Sequence, residues 1–519
     1  MNNRNIIVIT DKNSENYSEF KTQLKPYLDF FGFPYIEQSA DTAIPECALI
    51  MMGHTNLLLP PSALDAVRAG AGLVRFFDGT ACGGSSLKIA GGHYITERHA
   101  DGEEIALYAP MSGGEGDGQT LVAVGDATLL DVSEHGDGRI CTWYSMAWMS
   151  HEVLGPIHGL DDILWRGIVW AAKKPFIMQG MPPMVGMRVD DVWGAWREEH
   201  PENPLKWVEI AHKYGIKPWL GVFQDNMNER TTEKVREYTH AGLANAYPHA
   251  FVGCEWTKSE LAEHWIYFDH NNKKPYSDEV MKENAQRAKA WFDEQDIPIS
   301  KMALAHYYET GANALKYIAD FGCEFIGIHM DADAPYGSNC IKAGPYRNFE
   351  NDDSYAKRPV YYGDYVFDGK FFNCVTEIRD VCGYEWAPTT DVADTIKNGT
   401  AQLKRALDSM VPAVFFTHES CWIQRLNDEI WDAELRGITR NISKYNAEFM
   451  TMEDICRYAR AKHNLQITGA EYKNGKLHVQ LAGKNDIETK CFVFSERGGK
   501  IRESLHVLPR VDGAVEVVL

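Results

Sequence analysis

Residues suited to catalysis recur between Arg188 and Glu419 of this 519-residue sequence, each at the end of a short apolar run. "PPMVGMRVDDVWG" (182–194) carries adjacent acids, Asp190 and Asp191, with Arg188 two positions before. "YPHAF" holds His249; "KMALAHYYETG" holds His306, Tyr307 and Glu309; "CEFIGIHMDAD" holds His329, Asp331 and Asp333; "VPAVFFTHES" closes on His418 and Glu419. One carboxylate and two neutral imidazoles can hold a divalent ion, zinc being the type case, while leaving positions open for water and a substrate oxygen. A second carboxylate can take the water's proton, and a protonated histidine can hand one to the leaving group. The chemistry that such a set suits is metal-assisted hydrolysis. Successive strand side chains face opposite ways, so Asp190 and Asp191 serve one site only if the backbone turns between them, which divides their roles. The competing structural reading is a turn-forming or helix-capping pair.

The elements that would position these residues follow from the pattern around them. From "PMVGMRVDD" onward, short apolar runs alternate with amphipathic helical stretches. "IKPWLGVF" follows the helix "PLKWVEIAHKY", for which Asn203 and Pro204 supply an N-cap and first residue and Gly215 a stop. About seven strand–helix units in roughly 290 residues predict a deformed (β/α)7 barrel, whose strand ends converge on one mouth. The polar stretch from Asp331 to about Tyr362 reads as an insertion there.

Residues 1–178 alternate in the same way: "NIIVIT", "CALIMMG" and "LVRFFDG" are strands, and "SEFKTQLKPYLDFFG" is a helix closed by Gly32. This predicts a flavodoxin-like α/β domain with a largely parallel sheet. After Asn464 the period falls to two, with a hairpin signal at Asn474-Gly475. The expected division is therefore 1–178, a barrel over 179–463, and a small antiparallel β-domain over 464–519.

"MRVDDVWG" resembles the first motif of the polysaccharide deacetylase (NodB-homology) family, typically Thr-Phe-Asp-Asp-Gly. "YPHAF" is similar to its histidine motif, and "VPAVFFTHES" to its last, an apolar strand ending in histidine. The resemblance covers roughly residues 183–463. It implies Asp190 as catalytic base, Asp191 and His249 as metal ligands and His418 as acid. The family's second histidine follows four residues after the first, where this chain has Gly253. The third ligand is then His306, which ends a strand, with His270 and His264 as fallbacks. Val192 replaces the motif glycine, and Glu419, where an Asp is common, joins the catalytic set. Separately, "GLVRFFDGTACGG" and "GRICTWYS" look like a class I glutamine amidotransferase-like domain. Cys82 has only half of the Gly-x-Cys-x-Gly elbow, since Thr80 precedes it, so that domain is expected to be non-catalytic.

Arg188, Trp193, Tyr307, Glu309, Asp331 and Trp422 are the candidate substrate contacts, the aromatics among them able to stack on sugar rings. The expected substrate is an oligosaccharide or polysaccharide. Two rivals stand beside the hydrolase: a glycoside hydrolase with Asp190 or Asp191 paired to Glu419, and a sugar-binding protein without catalysis. A net charge of −21 with no basic cluster excludes nucleic acid as a natural partner. No 18-residue apolar stretch predicts a membrane span, and no signal peptide is recognised, so the expected location is the cytoplasm. Eleven cysteines at no metal or disulfide spacing agree with a reducing compartment. A homo-oligomer is compatible with the composition.

Overall fold

A computed structural model describes residues 2–150, 153, 160–194, 200–253, 264–327, 332–335, 363–374, 391–420 and 422–519. The chain divides into two compact units: residues 1–182, 408–410 and 461–519 make one, and 183–407 with 411–460 the other. The expected Asp331 and His329, and most of the insertion, lie outside the described residues. Among the described residues no helix is long and apolar enough to cross a membrane.

In the first unit, uninterrupted apolar runs form inner strands. Ile6–Thr10, Leu49–Met52 and Gly72–Phe76 are parallel neighbours, and Tyr35–Ser39 flanks the first. Gly138–Trp143 continues the parallel run, then pairs antiparallel with Ala127–His135, from which the sheet extends to nine strands. Gly32, at φ +62°, ends the helix Lys25–Phe31 in the left-handed conformation that glycine adopts most readily. Cys82 lies on the strand Ala81–Ile89, which pairs antiparallel with Glu103–Gly113, and not on a strand-to-helix turn.

The period-two stretch forms two antiparallel sheets, each completed by a strand from elsewhere in the unit. Asn2–Asn3 pairs with Leu465–Lys473, and Phe176–Met178 pairs with Thr489–Arg497. The left-handed pair Asn474 (φ +55°) and Gly475 (φ +78°) makes the expected hairpin turn. Ile177 sits in one cluster with Leu465, Leu477, Val479, Leu481 and Leu508. About 55 residues bury a small share of their own surface, and the borrowed strands enlarge that core.

In the second unit, Met184–Val192 is the centre of a parallel sheet, flanked by Pro218–Phe223 and Ala413–His418, with Asn245–Ala250 beyond. Met302–Ala303, Phe325–Ile326 and Phe371–Cys374 form a second parallel run, edged antiparallel by Gly363–Val366. An isolated parallel bridge ties Ala246, on the edge strand of the first run, to Ile299, just before Met302–Ala303. Helices lie between successive strands, among them Glu229–His240, Asp278–Glu294 and Asp428–Ile442, whose N-caps are the side chains of Asn228, Ser277 and Asn427. The helix expected from Pro204 begins at Lys206, because the Asn203 side chain first accepts the Leu205 N–H. All nine residues of the central strand are buried, as both faces of a parallel strand are covered. Arg188, Asp190 and Asp191 are thus charged side chains in a place where charge is costly without partners.

Candidate metal centre

The adjacent aspartates reach one site through an extra residue. Val189 faces Leu220 and Val192 faces Val222, so three steps on the central strand match two on its neighbour. This is a β-bulge, and Asp191 occupies it at φ +59°, a conformation that Asp tolerates better than most residues. A second bulge lies one strand along, where Val222 faces Pro248 and Phe223 faces Ala250, leaving His249 as the extra residue. His249 Nε2 is 3.7 Å from Asp191 Oδ1 and 3.8 Å from Asp190 Oδ2.

His306 comes from the turn after Met302–Ala303. Tyr307 and Tyr308 there have φ of +53° and +59°, strain of the kind that gathers at functional sites. The turn sets His306 Nδ1 3.3 Å from Asp191 Oδ1. Asp191, His249 and His306 each offer a ligand atom, all within 4.8 Å of one another, and are the one such group found among the described residues. Ligand atoms ~2.1 Å from a tetrahedral ion would lie about 3.4 Å apart, close to the 3.7 and 3.3 Å that separate Asp191 Oδ1 from His249 and His306. Asp191 Oδ1 is buried without a hydrogen bond between two imidazoles, so the residues fit a divalent ion.

The surroundings prepare the histidine. His249 Nδ1 is 2.9 Å from the Leu304 carbonyl; donating there fixes the tautomer that leaves Nε2 as a lone pair facing Asp191. Gly221 packs against the ring: a Cβ there would come 3.0 Å from His249 Cγ. Burial pushes His249 down to about 4, against the pull of Asp190, so it is neutral at pH 7. Burial also pushes Asp191 up, but His418, His306 and His249 together outweigh it and hold the carboxyl well below the usual range.

This has a sign that can be measured. An unfolded histidine takes its proton near 6.5, whereas folded His249 stays neutral to about 4. Between these values the unfolded state binds more protons, so stability is lost as pH falls through the window, by up to about 3 kcal/mol. Urea midpoints at pH 7 and 4.5 should show the loss, and His249→Gln should lack this component.

Asp190 is held differently. Arg188 Nε and Nη2 donate to its two oxygens at 3.0 and 3.2 Å, and Nη2 also donates to Tyr308 Oη at 2.7 Å. The guanidinium lies 3.8 Å over the Phe416 ring and is fully buried. The structure therefore puts Arg188 behind Asp190, as the partner of its charge, where the sequence suggested a substrate contact. Asp190 pairs in register with His418 on the neighbouring strand, and His418 is half-buried.

Glu419, expected in the catalytic set, is instead fully buried and occupied. Its carboxylate accepts the backbone N–H groups of Trp193 and Gly194 and the Trp207 indole N–H, each at 2.8 Å. It anchors the chain leaving the Asp191 bulge. Glu419→Ala would orphan three buried donors and should cost about 3 kcal/mol or more, read from the urea midpoint, at roughly 1–3 kcal/mol per unsatisfied group. Trp193 is packed with Phe223, Ala250 and Met227, so it is core and not rim, and Trp422 is buried too.

Of the fallback ligands, His264 lies tilted against Phe251 and 3.5 Å from Arg287, and His270 binds Glu309. Tyr307 is half-buried beside His306, with ring centroids 4.1 Å apart. The partners that sequence reasoning missed are Tyr308, Phe416, Trp207 and the Leu304 carbonyl. Only the Arg188–Asp190 pair left a signal, the two-residue spacing that puts both on one strand face.

No family model matches the sequence, and no curated protein matches it. Among solved structures the chain is similar to a family 4 carbohydrate esterase from Streptomyces lividans in complex with acetate, at 10% identity over 51% of this chain and 90% of that one, TM-score 0.28. It is similar to a mutant of a CE4 family pseudoenzyme with restored enzymatic activity, at 12% identity over 53% and 68%, TM-score 0.29. A cytoplasmic protein from Salmonella typhimurium matches at 13% identity over 33% and 100%, TM-score 0.22. The functional reading rests on the site's own geometry.

Proposed function

We propose that the second unit is a metal-dependent hydrolase on a deformed (β/α)7 barrel of the deacetylase type, removing a short acyl group from a carbohydrate. The observation that carries this reading is the convergence of Asp191, His249 and His306 beside an Asp190 whose charge is already balanced by Arg188. A divalent ion held by those three residues, zinc by their donor types, would polarise the substrate carbonyl and acidify water.

The chain's own residues supply the proton transfers. Asp190, fixed by the Arg188 fork, takes the proton of the attacking water. His418, beside it in register, hands a proton to the departing sugar oxygen or nitrogen. Arg188 orients the base through two bonds, which restricts its oxygens to one plane. The paired-carboxylate glycosidase reading loses Glu419, whose lone pairs hold the turn at Trp193 and Gly194. The first unit, read as amidotransferase-like, serves as a non-catalytic scaffold, since Cys82 lies on a paired strand.

The test is acid release from N-acetyl and N-glycolyl chito-oligosaccharides and from acetylated xylo-oligosaccharides by the full chain. Turnover lost to a chelator and restored by zinc supports the reading. Turnover that persists in chelator overturns it.

A further inference from the structure

The turn that presents His306 is strained at two consecutive residues. Tyr307 and Tyr308 both stand in the left-handed region, at φ +53° and +59°. A Cβ makes that conformation costly, so it persists only where the surroundings hold the chain to it. Bonds within the turn do part of this: the N–H groups of Tyr308 and Glu309 donate to the carbonyls of Ala305 and His306 at 2.9 and 3.2 Å. They close the turn on itself.

A side chain ties the turn to the central strand. Tyr308 is 6% exposed, and its hydroxyl accepts a hydrogen bond from Arg188 Nη2 at 2.7 Å, shorter than either bond of the fork to Asp190. Arg188 stands three residues before Asp191 on the strand Met184–Val192, anchored by that strand, by Asp190 and by the Phe416 ring beneath it. Two residues before Tyr308, His306 Nδ1 is 3.3 Å from Asp191 Oδ1. The turn therefore meets the central strand twice, through a hydroxyl on Arg188 and through an imidazole beside Asp191. A hydrogen bond from a charged donor is one of the stronger kinds, so the first contact is able to hold the second in place.

We infer that Tyr308 is a positioning residue for the metal centre: its bond to Arg188 holds the strained turn so that His306 Nδ1 stays aimed at the place of the ion. This rests on the metal-centre reading given above. Tyr308 acts through His306, as the outer partners of metal ligands do, and such partners are typically worth roughly 10- to 100-fold in metal affinity. The same bond makes Arg188 serve two groups at once, the carboxylate of Asp190 and the turn of His306.

Tyr308→Phe removes the hydroxyl and keeps the buried ring, so the metal-free variant should retain the circular dichroism spectrum of the native chain. Its affinity for zinc, measured on the full chain by competition with a chromophoric chelator, should fall at least about tenfold. A residue that merely packs would weaken zinc binding in any background, so the substitution is repeated in His306→Ala. There the ligand that Tyr308 positions is gone, and Tyr308→Phe should change the residual zinc affinity by less than about twofold. Equal zinc affinity in the native chain and Tyr308→Phe overturns the inference and leaves the metal centre standing, as does a loss that persists undiminished in His306→Ala. A native chain that takes up no zinc overturns both.

Discussion

Asp191→Asn is expected to abolish stoichiometric zinc and turnover together while leaving the fold of the metal-free protein intact. The substitution is chosen for the backbone: residue 191 sits at φ +59° in a bulge, a conformation that Asn adopts about as readily as Asp and alanine does not. What changes is charge. Asp191 is the anionic member of the group formed with His249 and His306, and the histidines around it are what hold its carboxyl ionised. A neutral amide leaves two imidazoles, and zinc affinity should fall by more than about 100-fold, beyond the range lost when only a ligand's outer partner is removed. Metal content by mass spectrometry and acid release by assay should fall in parallel. Asp191→Ala should lose the metal equally, with an added backbone penalty of about 1–2 kcal/mol.

Arg188→Met is expected to have the largest effect on stability, a loss of about 3–5 kcal/mol, because it strands a buried carboxylate. The fork to Asp190, the bond to Tyr308 and the packing over Phe416 all end on one fully buried guanidinium. Arg188→Lys keeps the charge but cannot make two parallel bonds or lie flat on the ring, so it should recover only part of the loss. The double variant Arg188→Met with Asp190→Leu removes both charges and should be more stable than Arg188→Met alone, though inactive. Urea titrations of the native protein, Arg188→Met, Asp190→Leu and the double variant give the coupling between the two residues; additive effects would mean that the pair does not act as one unit.

The sequence made the coarse fold legible because apolar runs of strand length are themselves the signal. "NIIVIT", "CALIMMG" and "VPAVFFTH" become Ile6–Thr10, Leu49–Met52 and Ala413–His418. Polar residues at the ends of such runs are conspicuous, and the three that group as a ligand set were all visible in that way. The bulges were not, since they exist only as a register between strands. Nor were the partners of Arg188 and Glu419, which lie 120 residues away at Tyr308 and 212 away at Trp207. A charged residue near a strand end reads the same in sequence whether it faces a ligand or holds its neighbour. Burial and partners separate the two: Glu419 spends its acceptors on N–H groups, and Asp191 Oδ1 makes no hydrogen bond. The pairing of Asn2–Asn3 with Leu465–Lys473 was hidden for the same reason, because a two-residue strand carries no periodicity.

The most direct measurement is anomalous scattering at the zinc edge from crystals of the full chain grown with one equivalent of zinc. The account predicts a single strong peak within ~2.0–2.2 Å of an oxygen of Asp191 and one ring nitrogen each of His249 and His306. A peak elsewhere in the chain, with those three side chains unligated, or no peak at all, would contradict it.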